Sequence, residues 1–518
     1  MNLAQIARLM AGFAAFFTLA QLPCLLWAVL EAPHPGIRPL GGFAGSIVIG
    51  TAVAALLWLA GRADRGQVFR KEAIAVAGLS WFLASMLGAI PLQWSGLLPN
   101  PFDAVFEAVS GLTTTGATVL GSGPNPPIPD TPQSLLLWRA LLQWTGGIGI
   151  VLVFVALLPA MGITGKNLLT SESVGVGTES YQPRAIEKAR LIATIYVGMT
   201  ALCTLLLVHV GDFGWFDAVC HAFTAMATGG YSTRSAISDF QSLGGEIVLT
   251  VFMFLAGASF AVLATHWRSG WRCLPLLART GEFRIYAMTT GALIVLCSIA
   301  LVRAGVPIGS AIRQASFNCV SVLTSTGYAT VDFQVWPGLA TLMLFGAMLL
   351  GGCSGSTAGG IKQVRLLVIL KLLAYTIRHF VRPKSVERIK LDNEVLPAAV
   401  ISSILAIVLM WFLTVAVGAV VLSFDERLNF VAALSTSATM VGNCGPALTL
   451  VEPVSAGHVL LTGTGIADTL AGTPQVGPMG GFGELRDWTK AVTSLQMILG
   501  RLELLTVLAL FSPSFWRR

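Results

Sequence analysis

The sequence predicts an all-α polytopic membrane protein, and two observations support this prediction. Of the 518 residues, 55% are hydrophobic and only 11% are Asp, Glu, Lys or Arg, whereas a typical soluble domain carries about 25% charged residues. Ten stretches are also apolar enough for a transmembrane helix, which requires about 20 residues. They cover residues 9–30, 43–60, 73–92, 134–161, 190–210, 243–266, 285–303, 338–378, 395–422 and 490–512.

The composition excludes other classes of protein. A series of soluble domains could not cover its surfaces with 32 basic and 25 acidic side chains. The net charge of +7 does not indicate nucleic-acid binding or disorder, because the basic residues are diluted by apolar ones. The first apolar stretch is longer than the hydrophobic region of a signal peptide, so we expect it to remain as the first span.

Lysine and arginine are concentrated in alternate loops, and this predicts the orientation of the chain. Segments 61–72, 162–190 and 267–284 carry four each, and segment 362–394 carries eight. Loops rich in Lys and Arg stay in the cytoplasm. Ten crossings then place both termini in the cytoplasm.

The sequence shows no pattern for a metal centre, a disulfide framework or an enzyme. The eight Cys stand alone, mostly in apolar stretches, and are predicted to be small buried side chains. The glycines of residues 146–149 superficially suggest a nucleotide loop, but they lie inside a span, where small residues favour close helix packing. The spans offer no convincing pair of catalytic groups.

Four outer loops each contain a short apolar stretch that ends in Thr, Ser, Asn and Gly. FDAVFEAVSGLTTTGAT (102–118) aligns without a gap with FDAVCHAFTAMATGGYS (216–232). RQASFNCVSVLTSTGYAT (313–330) and the weaker VAALSTSATMVGNCGPAL (431–448) complete the set. Such stretches are too short to span and are typical of re-entrant elements.

The repetition predicts four pseudo-symmetric helix–pore-loop–helix repeats around a central pore, plus two N-terminal transmembrane helices. The N-terminal helices occupy residues 1–72, and the repeats occupy 73–189, 190–284, 285–394 and 395–518. We refer to the segment after each short helix as an apical segment; the four are 114–118, 228–232, 325–329 and 443–447.

The apical segments are the predicted site of chemistry. A helix of about 11 residues ends near the middle of the bilayer, and its C-terminal carbonyl groups point to the centre. Glycine in each segment permits backbone angles that turn carbonyls inward, as in rings that replace the hydration shell of a cation. The candidate cation ligands are Thr114, Thr115, Gly116, Thr228, Gly229, Gly230, Ser325, Thr326, Gly327, Asn443, Cys444 and Gly445. The alternative is that each Thr-Gly pair only caps an outer helix, and in the fourth copy Gly442 is a rival to Gly445.

Motifs over nearly the whole chain suggest a family. They are SGLTTTGAT (110–118), QWTGGIGIV (143–151), ATGGYST (227–233), TSTGYAT (324–330), GGCSGSTAGGIK (351–362), VGNCGPAL (441–448) and GRLE (500–503). In these segments the chain resembles the Trk/Ktr/HKT superfamily of potassium transporters, and its two extra N-terminal spans favour the TrkH/TrkG branch. The fourth copy departs from the family pattern, which more often has Asn-Asn-x-Gly-Pro-Gly, and the loop 449–475 is enlarged.

The resemblance implies a function and partners. It implies uptake of potassium, the transported ion, across a bacterial inner membrane through a channel-like selectivity filter, with no organic cofactor on this chain. It also implies a homodimer in the lipid bilayer and a cytoplasmic nucleotide-binding RCK protein of the TrkA type, with no nucleic acid. The alternative is an ion-coupled secondary transporter with a midplane site, which broken helices would also fit.

The predicted eighth span is interrupted by GGCSGSTAGG, residues 351–360, which contains five glycines. Continuing a helix through them would cost about 5 kcal/mol relative to alanine, so we expect a break. Close helix packing through small residues is the alternative. With the family resemblance, the break predicts an intramembrane loop over residues 351–361 that obstructs the path below the filter. The candidate gating residues are Gly351, Gly352, Ser354, Gly355, Ser356, Gly359, Gly360 and Arg501.

Two basic residues near the predicted gate have alternative explanations. A charge such as Arg501 inside a span costs about 2.5–3.5 kcal/mol, and the family motif places it in the pore as an electrostatic barrier. The alternatives are a structural pair with Glu503 or an extension to the inner surface. For Lys362 the favoured interpretation is a marker of the cytoplasmic boundary, rather than a residue of the same cavity.

Two pairs of polar residues occupy equivalent positions on the first two short helices. Asp103 and Asp217 are predicted N-caps, which would also attract cations to the outer mouth. Glu107 and His221 are predicted to pack or to form hydrogen bonds.

Overall fold

The computed structural model of the chain describes residues 2–62, 70–157, 181–266, 277–383, 388–392, 394–449 and 476–516. Within these residues the secondary structure is helical except for one antiparallel hairpin of β1 (Lys390–Leu391) and β2 (Glu394–Val395) and an isolated bridge between His34 and Ile37. The predicted all-α class is therefore confirmed for the described chain. Cys273 and the enlarged loop after Thr449 lie outside the described residues.

Three helices precede the repeats. Helices α1 (Leu3–Leu19) and α2 (Leu22–Leu30) together form an apolar stretch of 28 residues, and α3 (Pro39–Ala60) follows. Helix α3 packs closely on α1, because a Cβ atom added at Gly50 would lie 2.3 Å from the Thr18 hydroxyl. Small residues at such a crossing allow two helices to approach each other without a hydrophobic driving force.

Each repeat begins with a long outer helix and a short helix that packs against it. The outer helices are α4 (Arg70–Trp94), α7 (Tyr181–His209), α11 (Gly281–Arg303) and α15 (Ala398–Leu422). The short helices are α5 (Pro101–Leu112), α8 (Trp215–Met226), α12 (Ile308–Leu323) and α16 (Phe430–Gly442). The predicted four copies are therefore present, while the residue boundaries given above for each repeat stay predictions.

The inner helix of each repeat follows the apical segment, and within the described residues three of the four are broken. Helix α6 (Gln133–Leu157) is continuous over its described length. The others are split into α9 (Leu243–Ala256) and α10 (Phe260–His266), α13 (Gly338–Leu350) and α14 (Gln363–Val381), and α17 (Asp487–Arg501) and α18 (Leu505–Phe511), with α19 (Pro513–Trp516) at the end. The sequence predicts only the middle break. At the last break, Glu503 adopts a left-handed backbone with φ of 53°, which ends the regular hydrogen bonding.

Six helical stretches among the described residues are long and apolar enough to cross a membrane by length and composition. They are the N-terminal pair α1–α2, helix α3 and the four outer helices. The predicted spans 243–266, 338–378 and 490–512 are each divided by a break. Irregular backbone at membrane depth is tolerated where it is buried in protein or lines a water-filled path, so the breaks mark the interior of the repeat assembly.

The predicted role of the two aspartates as N-caps is wrong. Asn100 caps α5 by accepting a hydrogen bond from the Phe102 amide, and Gly214 holds the cap position of α8. Asp103 and Asp217 are each the third residue of these helices, within the first turn. The Asp103 carboxylate is buried, forms an ion pair with Lys490 and accepts a hydrogen bond from Asn125 at 3.1 Å. Asp217 accepts one from the Thr233 hydroxyl at 2.5 Å.

Glu107 and His221 form hydrogen bonds, as predicted. Glu107 forms a fully buried ion pair with Arg139 of α6 at 2.8 Å, and it accepts hydrogen bonds from Thr118 and from the Val119 amide, each at 2.9 Å. The His221 imidazole contacts the Ser232 hydroxyl at 3.0 Å. Both side chains therefore bind the backbone or hydroxyls that follow their own apical glycine.

We predict that Glu107→Ala destabilises the protein strongly. Removing one partner of a buried ion pair leaves an uncompensated charge and costs about 3–5 kcal/mol. The control is Glu246→Ala, because Glu246 pairs with Arg313, whose side chain is 47% exposed and can be solvated after the loss. Thermal unfolding in detergent should show a much larger decrease in melting temperature for Glu107→Ala than for Glu246→Ala. Equal decreases would contradict the stabilising role of the buried Glu107–Arg139 pair.

Candidate functional site

The backbone of the four apical segments is the same in every copy. One residue at the end of each short helix has a left-handed backbone: φ is 53° at Thr114, 51° at Thr228, 54° at Ser325 and 52° at Asn443. It follows the helix cap in the first three copies and is the cap itself in the fourth. The glycine two positions later also has positive φ, with values of 82° at Gly116, 79° at Gly230, 84° at Gly327 and 96° at Gly445. Gly442 is the last residue of α16. The fourth segment is therefore in the Gly445 register.

A hydrogen bond of the same type closes each short helix. The amide of the residue before the apical glycine donates to a carbonyl five residues earlier, at distances of 2.8–3.0 Å. The four bonds are Thr115 to Ser110, Gly229 to Thr224, Thr326 to Ser321 and Cys444 to Thr439. A left-handed residue followed by such a bond is a common way to end a helix. A non-glycine residue in that conformation is strained by about 1–2 kcal/mol, so the packing around the segments must enforce it.

The four apical glycines form a closed ring. A Cβ atom added at Gly116 would lie 2.1 Å from the Gly229 carbonyl oxygen, and one added at Gly230 would lie 1.9 Å from that of Thr326. At Gly327 the distance is 2.2 Å to the Cys444 oxygen, and at Gly445 it is 2.6 Å to the Thr115 oxygen. Each glycine thus abuts the carbonyl before the glycine of the next repeat, and the fourth returns to the first. Four segments converge on one axis.

Side chains from neighbouring repeats fix this ring. Tyr231 donates from its hydroxyl to the Glu107 carbonyl at 2.8 Å, and Tyr328 contacts the Thr224 hydroxyl. Gln143 donates to the Gly229 carbonyl at 2.7 Å and accepts from the Tyr231 amide at 3.1 Å. The role of Gln143 was not predicted from the sequence, although a lone amide in an apolar span was a usable signal.

The predicted close packing of the glycines at 146–149 is confirmed for two of them. A Cβ atom at Gly146 would lie 1.9 Å from the Leu112 carbonyl oxygen, and one at Gly147 would lie 2.9 Å from the Ala227 Cα atom. These residues bring α6 against the C-terminal ends of α5 and α8. The run is therefore a packing surface for the short helices.

A cavity of about 180 Å³ lies on one side of the ring. Its lining includes all four apical glycines, together with Arg139 and Arg234. Asp103 and Asp217, predicted to attract cations to an outer mouth, are not among its lining residues. The charge of Asp103 is compensated by Lys490 instead.

The glycine-rich loop, residues 351–361, lies against the other side of the ring and contacts three repeats. Its Gly359 amide donates to the Ser325 hydroxyl at 2.6 Å. Its Gly360 amide donates to the Gly442 carbonyl at 2.9 Å. The Thr357 hydroxyl donates to the Met226 carbonyl at 3.1 Å. The loop therefore covers the C-terminal ends of two short helices and touches the apical segment of a third.

Most of the predicted gating residues lie in this loop, and Arg501 contacts it. Arg501 is the last residue of α17, is 4% exposed and donates from Nη1 to the Thr357 carbonyl at 2.7 Å. Its Nε and Nη2 atoms have no hydrogen-bond partner among the described residues. The alternative partner Glu503 pairs with Arg365 at 2.6 Å. Thr357, which joins Arg501 to the loop, was not among the residues predicted to form the gate.

The favoured interpretation of Lys362 as a boundary marker is wrong. Lys362 is 5% exposed and donates a hydrogen bond to the Ala358 carbonyl. It lines a small cavity of about 30 Å³ together with Gly359, Asn443 and Arg501. Two cationic side chains thus lie close beneath the ring, which raises the electrostatic cost of a further cation in this cavity.

Comparisons with known proteins agree with the geometry. A family model described as TrkH, cation transport protein, matches residues 42–274 and 284–455. The chain belongs to the TrkH family. It is 33% identical over 526 residues to the Trk system potassium uptake protein TrkH of Halomonas elongata, which it covers completely. It is 27% identical over 515 residues to TrkG of Escherichia coli K12, with 98% of each chain covered.

The structure of this TrkH-family chain also matches a solved structure. The crystal structure of the potassium transporter TrkH from Vibrio parahaemolyticus aligns with a TM-score of 0.83 and 27% sequence identity, and all of both chains is covered. The predicted family resemblance and the predicted multi-pass membrane fold are confirmed.

We predict that Gly327→Ala distorts the ring. The new Cβ atom would lie 2.2 Å from the Cys444 carbonyl oxygen, at a φ of 84° that alanine rarely adopts. Gly198→Ala on α7 is the matched control, because a Cβ atom there meets nothing within 4 Å and alanine favours a helix by about 1 kcal/mol. The melting temperature in detergent should fall for Gly327→Ala and stay level or rise for Gly198→Ala. A Gly327→Ala variant as stable as the parent would contradict the close approach.

Proposed function

We propose that this chain conducts potassium ions through the ring of apical segments, which acts as a selectivity filter. The observation that supports the proposal is the cyclic contact of the four glycines with the carbonyls of the next repeat. Such an arrangement holds carbonyl oxygens around one axis, where they replace the hydration shell of a cation. The relatives named above as potassium uptake proteins support potassium as that cation.

The proposed ligands are the twelve candidate residues of the four segments. Two of their hydroxyl groups contact the residue that caps the preceding short helix: Thr115 lies 2.8 Å from the Thr113 hydroxyl, and Thr326 lies 2.8 Å from that of Thr324. In the fourth segment, Asn443 donates to the Thr115 hydroxyl at 2.9 Å. Asn443 thus supplies a contact that joins the first and fourth repeats.

The proposed gate consists of the glycine-rich loop and Arg501. The loop contacts Ser325 of the filter directly, and Arg501 holds the loop through the Thr357 carbonyl. A buried guanidinium on the path of a cation is a Coulombic barrier that is much stronger than in water. Opening therefore requires the loop and Arg501 to leave the axis together.

The cellular setting is part of the proposal. The chain would lie in a bacterial inner membrane with both termini in the cytoplasm, as a homodimer, and would be regulated by a cytoplasmic nucleotide-binding RCK protein of the TrkA type. The repeats would have the boundaries predicted from the sequence. The family assignment and the alternation of Lys and Arg between loops support this setting.

An ion-coupled secondary transporter is the second candidate. The breaks at 257–259, 351–362 and 502–504 are of the kind that forms midplane sites in that class. The filter is favoured because its four copies are equivalent and share one axis.

Electrical recording in planar bilayers, with the RCK partner present, distinguishes a channel from a coupled transporter. A channel gives single-channel currents whose reversal potential follows the potassium gradient alone. A coupled transporter shows a reversal potential that also moves with a proton or sodium gradient.

We predict that Gly230→Ser lowers the preference for potassium over sodium by about tenfold, because ion selectivity depends on the position of the carbonyl oxygens in the filter. The new Cβ atom would displace the Thr326 carbonyl from the ring. The measurement is growth at low potassium of a bacterium deficient in potassium uptake, combined with rubidium and sodium flux into vesicles. Gly198→Ala is the control. An unchanged ion preference in Gly230→Ser would contradict the proposal that the apical segments form the selectivity filter.

We predict that Arg501→Ala increases potassium flux several-fold in the absence of the partner, because the barrier and the bond to Thr357 are both lost. The control is Arg303→Ala, which removes an exposed cation at the end of α11. Rubidium uptake into proteoliposomes measures the effect. A folded Arg501→Ala variant with the parental flux would contradict the barrier.

A further inference from the structure

We propose that Glu282 is a positioning residue that holds the glycine-rich loop closed, and that the β1–β2 hairpin is connected to it through Asp392. This inference rests on the proposed role of the loop as a gate. It adds a residue and a route that lie outside the filter, the loop and Arg501.

Glu282 lies in the first turn of α11 and binds the loop near its beginning. Its Oε1 atom accepts a hydrogen bond from the Ser354 amide at 2.5 Å. Ser354 is the fourth residue of the loop, whereas Glu282 belongs to the outer helix of the same repeat. One carboxyl group thus joins the loop to that outer helix.

The loop is held from two sides by an acidic and a basic side chain. Glu282 accepts a hydrogen bond from the Ser354 amide, while Arg501 donates one to the Thr357 carbonyl. Between these two contacts and α9, the Cys353 amide donates to the Gly257 carbonyl at 2.8 Å. Glu282 therefore restrains the loop from the side of its own outer helix.

The hairpin contacts the residue next to Glu282. Asp392, in the turn between β1 and β2, has a left-handed backbone with φ of 47°. Its Oδ1 atom accepts a hydrogen bond from the Gly281 amide at 2.8 Å, so it places a carboxylate at the N-terminus of α11, where the helix dipole favours it. The hairpin is thus connected to the loop in three steps. Asp392 is hydrogen-bonded to Gly281, Gly281 precedes Glu282 in the chain, and Glu282 is hydrogen-bonded to Ser354.

The hairpin itself rests on α14 and α15. Leu391 and Leu396 flank an apolar cluster that includes Val368 and Ile404, and Lys371 donates to the Lys390 carbonyl at 2.7 Å. Asp392 is exposed. A regulator that displaces the hairpin would withdraw Asp392 from Gly281 and shift the first turn of α11. The restraint of Glu282 on the loop would then weaken.

Labelling of the native Cys353 thiol tests the restraint without requiring transport. Cys353 lies in the loop and is 1% exposed, so it reacts with a maleimide only when the loop opens. In the full-length protein in detergent, peptide mass spectrometry would follow its labelling rate in Glu282→Ala, Glu282→Gln and the control Glu394→Gln. Loss of the hydrogen bond to Ser354 should raise the rate about tenfold in Glu282→Ala. The rise should be smaller in Glu282→Gln, which keeps an acceptor, and absent in Glu394→Gln.

The buried Cys444 thiol of the fourth apical segment is the internal control, because its labelling rises only if the fold is damaged. If Glu282→Ala fails to fold by this criterion, the test uses Glu282→Gln and Asp392→Asn instead. Asp392 is exposed, so its substitution should leave the fold intact. Both should speed Cys353 labelling and raise rubidium flux without the partner, while Cys444 stays protected. Parental labelling rates in the folded variants would overturn the role of Glu282. Faster labelling with no potassium flux in any variant would instead count against the proposed channel and leave the restraint intact.

Discussion

The architecture depends on one steric constraint, the contact between each apical glycine and the carbonyl oxygen of the next repeat. The added Cβ distances of 1.9–2.6 Å leave no room for a side chain at any of the four positions. Because the contact runs from the first repeat to the second, third, fourth and back to the first, a displacement in one copy is passed to the others. A cyclic arrangement of this kind fixes the separation of four backbone segments more tightly than any single pair could.

The surrounding structure can be understood as support for that ring. The left-handed residue in each segment is strained, and hydrogen bonds from Gln143, Tyr231 and the buried Glu107–Arg139 pair hold the segments in place. On the other side, the breaks in the inner helices allow the glycine-rich loop and Arg501 to approach the ends of the short helices. A continuous α13–α14 helix would direct its backbone hydrogen bonds along its own axis, and the loop could not bond to Ser325, Met226 and Gly442.

Much of this could be predicted from local sequence because it repeats. Four copies of a short apolar stretch ending in Thr, Ser, Asn and Gly determined the repeat architecture and the candidate ring residues, and the glycines at 351–360 predicted a break. The breaks at 257–259 and 502–504 have no comparable composition and are imposed by tertiary packing. Likewise, the partners of Lys490, Glu503 and Lys362 lie far away along the chain or depend on how a loop folds back. Charge and spacing indicated a boundary for Lys362 and a pair with Arg501 for Glu503, and they gave no indication for Lys490, whereas only the fold identifies the partner.

The central claim is that the four apical segments bind potassium on their common axis. The most direct measurement is a structure of the full-length protein in rubidium, which replaces potassium and is identified by its anomalous scattering. The proposed function predicts ordered rubidium on the axis, within coordination distance of carbonyl oxygens from all four segments. Rubidium bound off the axis at one of the helix breaks, with the ring empty, would contradict the filter and favour the coupled transporter.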